Sequence, residues 1–187
     1  MINQESTLAD VAFAVAGALE ARGISSVLTG GSAAALYAPQ AYMSDDADFV
    51  LERDEPLSEV AAALQQIGFT RDGKSRIFFH PNSRFTIDFP KGPLAVGGDY
   101  VRQTDTLVRD GRRLRILTRL DCVRDRLAHF YHWTDYTALN AALAVAARFD
   151  EHDLQKLLEW TQRESPELVP KFEEFVLRLR ARRARKK

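Results

Sequence analysis

The chain has 187 residues, 45% of them hydrophobic and 28% charged, and its 26 basic side chains balance 26 acidic ones. That make-up suits an ordinary soluble protein with one sizeable core or two small ones. No apolar run approaches the roughly 18 residues a membrane span needs, which excludes a membrane protein of the helical kind. The start, MINQESTLADV, is acidic and polar and does not read as a secretory signal. The single Cys122 excludes an internal disulfide and fits a helix core, so a reducing cytoplasm is the expected location.

Ser6-Thr7 followed by Asp10 has the form of a capping box. Leu8, Val11, Ala12, Val15 and Leu19 then recur at helical spacing up to Gly23. Ile24 to Thr29 reads as the first strand. It breaks into Gly30-Gly31-Ser32, followed by the small helix formers Ala33 to Leu36, a loop marked by Pro39, and a second strand from Asp46 to Leu51. Side chains alternate across a strand, so Asp46 and Asp48 share one face while Asp45 and Ala47 share the other. Two neighbouring carboxylates resist ionising together without a counter-charge, and a divalent cation supplies one. The glycines allow close backbone approach, and free N–H groups at a helix start suit phosphate. The stretch reads as a phosphate cradle facing a carboxylate pair.

Arg53 to Pro56 turns into a helix whose buried stripe is Leu57, Val60, Ala61, Leu64 and Ile67, stopped by Gly68. Phe69 to Asp72 is expected as a short strand before a turn at Asp72-Gly73-Lys74, with a further run over Arg76 to His80. In the strand expected over Arg84 to Phe89, Arg84, Thr86 and Asp88 share a polar face, and Phe85, Ile87 and Phe89 face the core. Lys91 to Gly98 is irregular and Gly-rich, expected as a lid whose Lys91 reaches a phosphate. Thr106 to Val108 and Leu114 to Leu117 form a hairpin around Asp110-Gly111.

From Thr118 the pattern becomes helical: 119–133, 135–147, 151–164 and 166–183, with Asp150 and Ser165-Pro166 as starts. A boundary is expected near Leu117, giving an α/β part over 1–117 and a helical part over 118–187. Arg178 to Lys187 hold seven basic side chains and no acid, leaving the other 177 residues net negative by seven. The tail suits a helix C-terminus, with a phosphate-binding arm as the other reading.

Gly30-Gly31-Ser32 followed by Asp46-Ala47-Asp48 resembles the nucleotidyltransferase superfamily, whose minimal pattern is Gly-Gly or Gly-Ser and then Asp-apolar-Asp. The resemblance implies an α/β (α+β) fold, a mixed β-sheet with flanking helices followed by a C-terminal helical bundle. It implies a third carboxylate on a later strand, which Asp88 fits. Arg126-Leu127-Ala128 with Asp135 is similar to a helix motif of the AbiEii toxin-like branch, with Arg in place of its Lys. A competing resemblance, the Arg-x4-His spacing of HEPN-type ribonucleases at Arg124 and His129, leaves the Gly-Gly-Ser and Asp-x-Asp stretch unexplained. His129 and His132 read as partly buried helix histidines.

The superfamily resemblance further implies transfer of a nucleoside monophosphate from an NTP to a protein, tRNA or small-molecule acceptor. Asp46, Asp48 and Asp88 would be the catalytic and metal-holding carboxylates for Mg2+ or Mn2+. Gly30, Gly31, Ser32, Arg84, Lys91 and Arg126 would bind the nucleotide. An antitoxin or toxin partner is expected by the same resemblance. The alternative is a non-catalytic nucleotide-binding or antitoxin-type protein on the same fold.

Overall fold

The structure, a computed structural model, describes residues 2–185; Lys186 and Lys187 of the basic tail lie outside them. The helix α1 (Leu8–Glu20) opens with the expected capping box: Thr7 Oγ1 accepts from the Asp10 N–H, and Asp10 Oδ2 accepts from the Thr7 N–H. After it come β1 (Ser26–Thr29), α2 (Gly30–Tyr37), β2 (Asp46–Leu51) and α3 (Leu57–Gln65). The strands β3 (Ile77–Phe78) and β4 (Thr86–Asp88) are short, and two hairpins follow. These are β5 (Ala95–Val96) with β6 (Asp99–Tyr100), and β7 (Thr104–Arg109) with β8 (Arg112–Leu117). Asp110 and Gly111, both at positive φ, make the tight turn of the second hairpin.

Six strands form one mixed sheet in the order β3-β4-β2-β1-β8-β7. β1 is central, antiparallel to β2 and parallel to β8. β4 lies parallel to β2, with Asp48 opposite Asp88 and Asp46 opposite Thr86. This register sets the site. Phe85, Ile87 and Phe89 are buried as their alternation requires, beside Phe49 and Phe78. Fully burying one such side chain stabilises the fold by about 1.5–3 kcal/mol.

Several local expectations shift. β4 covers three residues, so Arg84 precedes the strand. The segment 69–72 contributes one bridge, Thr70 to Phe79, and no strand. The expected lid is a pinned hairpin. The Gly98 N–H donates to Glu164 Oε1 (2.8 Å), and Asp99 pairs with Arg124 (2.6 Å) and Arg163 (3.2 Å). Gly97 lies at φ +58 with Glu164 where a Cβ would be, so only glycine makes that approach.

The helical region contains α4 (Arg119–Trp133), α5 (Tyr136–Val145), α6 (Glu151–Glu164) and α7 (Val169–Ala184), with single 3-10 turns before and after α6. Pro166 therefore starts a 3-10 turn, three residues before α7. The Ala-rich α2 packs against both α4 and α5, since small side chains let helices approach closely. Buried residues on both sides of Leu117, from Val27 and Ala34 to Leu127 and Leu139, form one hydrophobic cluster. Cys122 is fully buried within it. No described helix is long and apolar enough to cross a membrane.

Candidate active site

A cleft of about 560 Å³ opens between the sheet and α4. On the sheet wall, Asp46, Asp48 and Asp88 come from adjacent parallel strands and line the cleft together. Residues in register on neighbouring strands are about 5 Å apart, and positions i and i+2 share a face. The three carboxylates therefore converge on one side of the sheet.

The turn from β1 into α2 holds this arrangement. Gly30 has φ +65, and a Cβ there would lie 2.2 Å from Asp48 Oδ2. At Gly31 a Cβ would meet Tyr42 Oη at 3.0 Å and Ser44 Oγ at 3.2 Å. The helix begins at Gly30, not after Ser32, so the glycines form its first turn and their N–H groups have no partner inside the helix. Ser32 is fully buried and works differently from the sequence expectation. Its hydroxyl donates to the Thr29 carbonyl (2.7 Å) and accepts from the Asp48 N–H (3.2 Å). It fixes the backbone of Asp48 and does not line the cleft.

Charge is concentrated on this wall. The Asp48 carboxyl is pushed up to about 7, chiefly by burial and then by the Asp46 carboxylate, with Arg126 opposing. Asp46 Oδ1 accepts from Ser44 Oγ at 2.7 Å. Among the described residues, none of the three acids forms an ion pair. Hard oxygen donors crowded on one face fit a hard divalent cation, which would offset the repulsion on Asp48. The donor atoms of the three are not mutually within 4.8 Å. The trio that meets that spacing among the described residues is Asp150, His152 and Asp153. That trio belongs to the start of α6, where Asp150 and Asp153 cap the helix reciprocally.

The helix wall carries Asp125, Arg126, His129 and Asp135, and Lys91 sits at the edge before the β5–β6 hairpin. Arg126 is buried and gives two hydrogen bonds to Asp125 Oδ2, at 2.9 and 2.7 Å. Asp135 caps α5 through the N–H groups of Thr137 (2.8 Å) and Ala138 (3.1 Å). Burial and then Arg126 lower the pKa of the half-buried His129 imidazole. Burial raises the Tyr42 phenol.

Gly30, Gly31, Lys91 and Arg126 thus line the cleft with the three acids, and Ser32 and Arg84 do not. Arg84 is exposed, with its guanidinium 4.7 Å from the centre of the Phe85 ring. β4 starts too late to carry Arg84 onto the face of Asp88. Arg124 and His129 also separate: Arg124 borders a second cavity of about 520 Å³ beside β6, whereas His129 faces the cleft. The HEPN-type pairing is not assembled. Tyr42, Ser44 and Asp125 line the cleft although no motif in the sequence marks them; the Tyr and Ser sit in the loop between Gly31 and Asp46, and Asp125 adjoins Arg126.

No protein-family model matches the sequence, and no curated protein matches it. Solved structures do. An antigenic nucleotidyltransferase-like protein from Paracoccidioides brasiliensis superposes with a TM-score of 0.60 at 14% identity, covering 92% of this chain and 95% of that one. The antibiotic-resistance factor ANT(2'')-Ia, determined in solution, gives 0.55 at 12% identity over 86% of this chain and 94% of its own. A crystal structure of ANT(2'')-Ia with adenylyl-2''-tobramycin gives 0.52 at 13% identity over 95% and 99%. Agreement along nearly the whole length of each chain, together with the mixed sheet and helical end, shows that this chain has the nucleotidyltransferase fold.

Proposed function

We propose that the protein transfers a nucleoside monophosphate from an NTP to an acceptor hydroxyl and releases pyrophosphate. The observation that carries this reading is the convergence of Asp46, Asp48 and Asp88 on one cleft beneath the Gly30-Gly31 turn. The acceptor oxygen bonds to the α-phosphorus, the bond from that phosphorus to its bridging oxygen breaks, and pyrophosphate leaves with the electron pair. The backbone N–H groups of the first turn of α2 hold phosphate oxygens. Lys91 and Arg126 offset the charge of the leaving pyrophosphate. Asp88, at the end of β4, accepts the proton of the acceptor hydroxyl. Asp46, Asp48 and Asp88 would hold Mg2+ or Mn2+, which when bound supplies charge stabilisation at the reacting phosphate.

The similarity to ANT(2'')-Ia supports a hydroxyl acceptor, since that enzyme's complex contains an adenylylated aminoglycoside. Incubation with each of the four NTPs, Mg2+ and an added acceptor (RNA, protein or an aminoglycoside), followed by measurement of pyrophosphate, tests the reading. Release that Asp46→Asn/Asp48→Asn abolishes supports transfer. NTP binding without release supports a non-catalytic nucleotide-binding protein on the same fold.

A further inference from the structure

Away from the cleft, the sheet ends in two unlike edges. β3, at one end, is two residues long. β7, at the other, runs for six residues with no proline or glycine to block further pairing. The two-residue turn at Asp110-Gly111 closes on the pair Arg109 and Arg112. In such a hairpin the closing pair is hydrogen-bonded, and bonded pairs alternate from there. Arg109, Leu107 and Asp105 therefore turn their backbone groups to β8, and Val108, Thr106 and Thr104 turn theirs to the open edge. None of those three finds a backbone partner in a turn or loop among the described residues. Val108 is also 69% exposed, although it is apolar.

The side chains along this edge leave charge only partly answered. Tyr37 Oη lies 2.8 Å from Asp105 Oδ2 and 2.6 Å from the Leu117 carbonyl, and a phenol has one proton to give. Asp105 belongs to no ion pair among the described residues. Further along the same face, the Arg109 guanidinium gives one N–H to Asp10 Oδ1 (2.8 Å) and lies 4.7 Å from the centre of the Phe13 ring. A guanidinium carries five N–H groups, so Arg109 can hold a second carboxylate without releasing the first.

An antiparallel copy of the same strand fits both patterns, and charge selects its register. Centred on Asp105, the pairing opposes two carboxylates. Centred on Thr106, it sets Asp105 against Leu107. Centred on Leu107, it sets Asp105 of each copy against Arg109 of the other, Leu107 against Leu107, and Thr106 against Val108. Opposite charges and β-branched pairs across strands stabilise a sheet, and like charges destabilise it. We propose that the protein forms a twofold dimer by antiparallel β7–β7 pairing with Leu107 on the axis, joining two sheets into one. Thr106 of each copy then exchanges both backbone hydrogen bonds with Val108 of the other. The three carboxylates of the cleft lie on β2 and β4, and β1 and β8 stand between them and this junction, so the dimer does not rest on the transfer reading.

The test is sedimentation equilibrium over a concentration series reaching millimolar, for the wild type, Thr106→Pro and Asp105→Asn. The mass should rise from 21.1 kDa toward twice that value. Thr106→Pro removes one outward N–H per copy and leaves the β7–β8 ladder whole, so the dimer dissociation constant should rise about 5- to 150-fold. Asp105→Asn should raise it about 2- to 30-fold. Cysteine substitutions read the register and do not depend on the proline variant folding. In the proposed pairing the two Leu107 Cα atoms lie about 4.5 Å apart, within reach of a disulfide, and the two Val108 Cα atoms about 7–8 Å apart, beyond it. Leu107→Cys should cross-link under mild oxidation and Val108→Cys should not, although Val108 is the more exposed. Cys122 is fully buried and takes no part. A monomer at every concentration, a dimer that Thr106→Pro leaves equally tight, or cross-linking of Val108→Cys at the rate of Leu107→Cys overturns the proposal.

Discussion

The two walls of the cleft treat charge in opposite ways. On the helix wall each charged group is answered within the fold: Arg126 by Asp125, Asp135 by the N–H groups of α5. Behind that wall Arg124 holds Asp121 and Asp99 and lies over Trp160. On the sheet wall three carboxylates crowd together, and Asp48 is pushed up to about 7 by burial and by Asp46. A paired charge is held by the fold with or without a ligand. A group of like charges held together at a cost to the fold points to a ligand that relieves them.

Substitutions should separate the two walls. The largest effect is expected from Asp46→Asn/Asp48→Asn. Pyrophosphate release should fall to background while the melting temperature holds or rises, because the repulsion is removed. Gly30→Ala should damage both properties. It strains a positive φ, costing about 1–2 kcal/mol, and its methyl occupies the position of Asp48 Oδ2. Denaturant unfolding and turnover measured together would show this. Behind the other wall, Arg124→Ala should cost about 1–3 kcal/mol of stability by leaving Asp121 without its cation and Asp99 with Arg163 alone, while KM for the NTP stays unchanged. Abolished turnover with full stability in Arg124→Ala would erase the contrast.

The last prediction is a pH slope. In metal-free protein Asp48 binds its proton more tightly folded, at about 7, than unfolded, near 3.8. Its stabilising contribution is complete below the unfolded value and is lost as pH rises through about 7. Chemical denaturation across that window should show stability falling with pH, and Asp48→Asn should flatten the fall.

Much of the sheet wall is legible in the sequence because its signals are local. Glycines at a strand end and alternating acids need only a few neighbouring residues to be read. The pairing of Asp48 with Asp88 joins positions 40 residues apart across a parallel register, which periodicity does not encode; alternation puts Asp88 on a polar strand face, and the family resemblance makes it the third carboxylate. Alternation misplaces Arg84 because it assumes a strand long enough to include that residue, and β4 is three residues long. A hydroxyl after two glycines looks available for phosphate, yet the fold uses Ser32 to hold the Asp48 backbone. The hairpin over 95–100 looks free in the sequence because its anchors, Glu164, Arg124 and Arg163, lie far along the chain.

The most direct test of the central claim is calorimetric titration of Mn2+ into wild type, Asp48→Asn and Asp88→Asn at a pH above 7, where Asp48 is ionised. The account predicts a binding heat in the wild type that Asp48→Asn abolishes and Asp88→Asn weakens. Equal binding heats in all three proteins, or no binding by the wild type with NTP present, would contradict it.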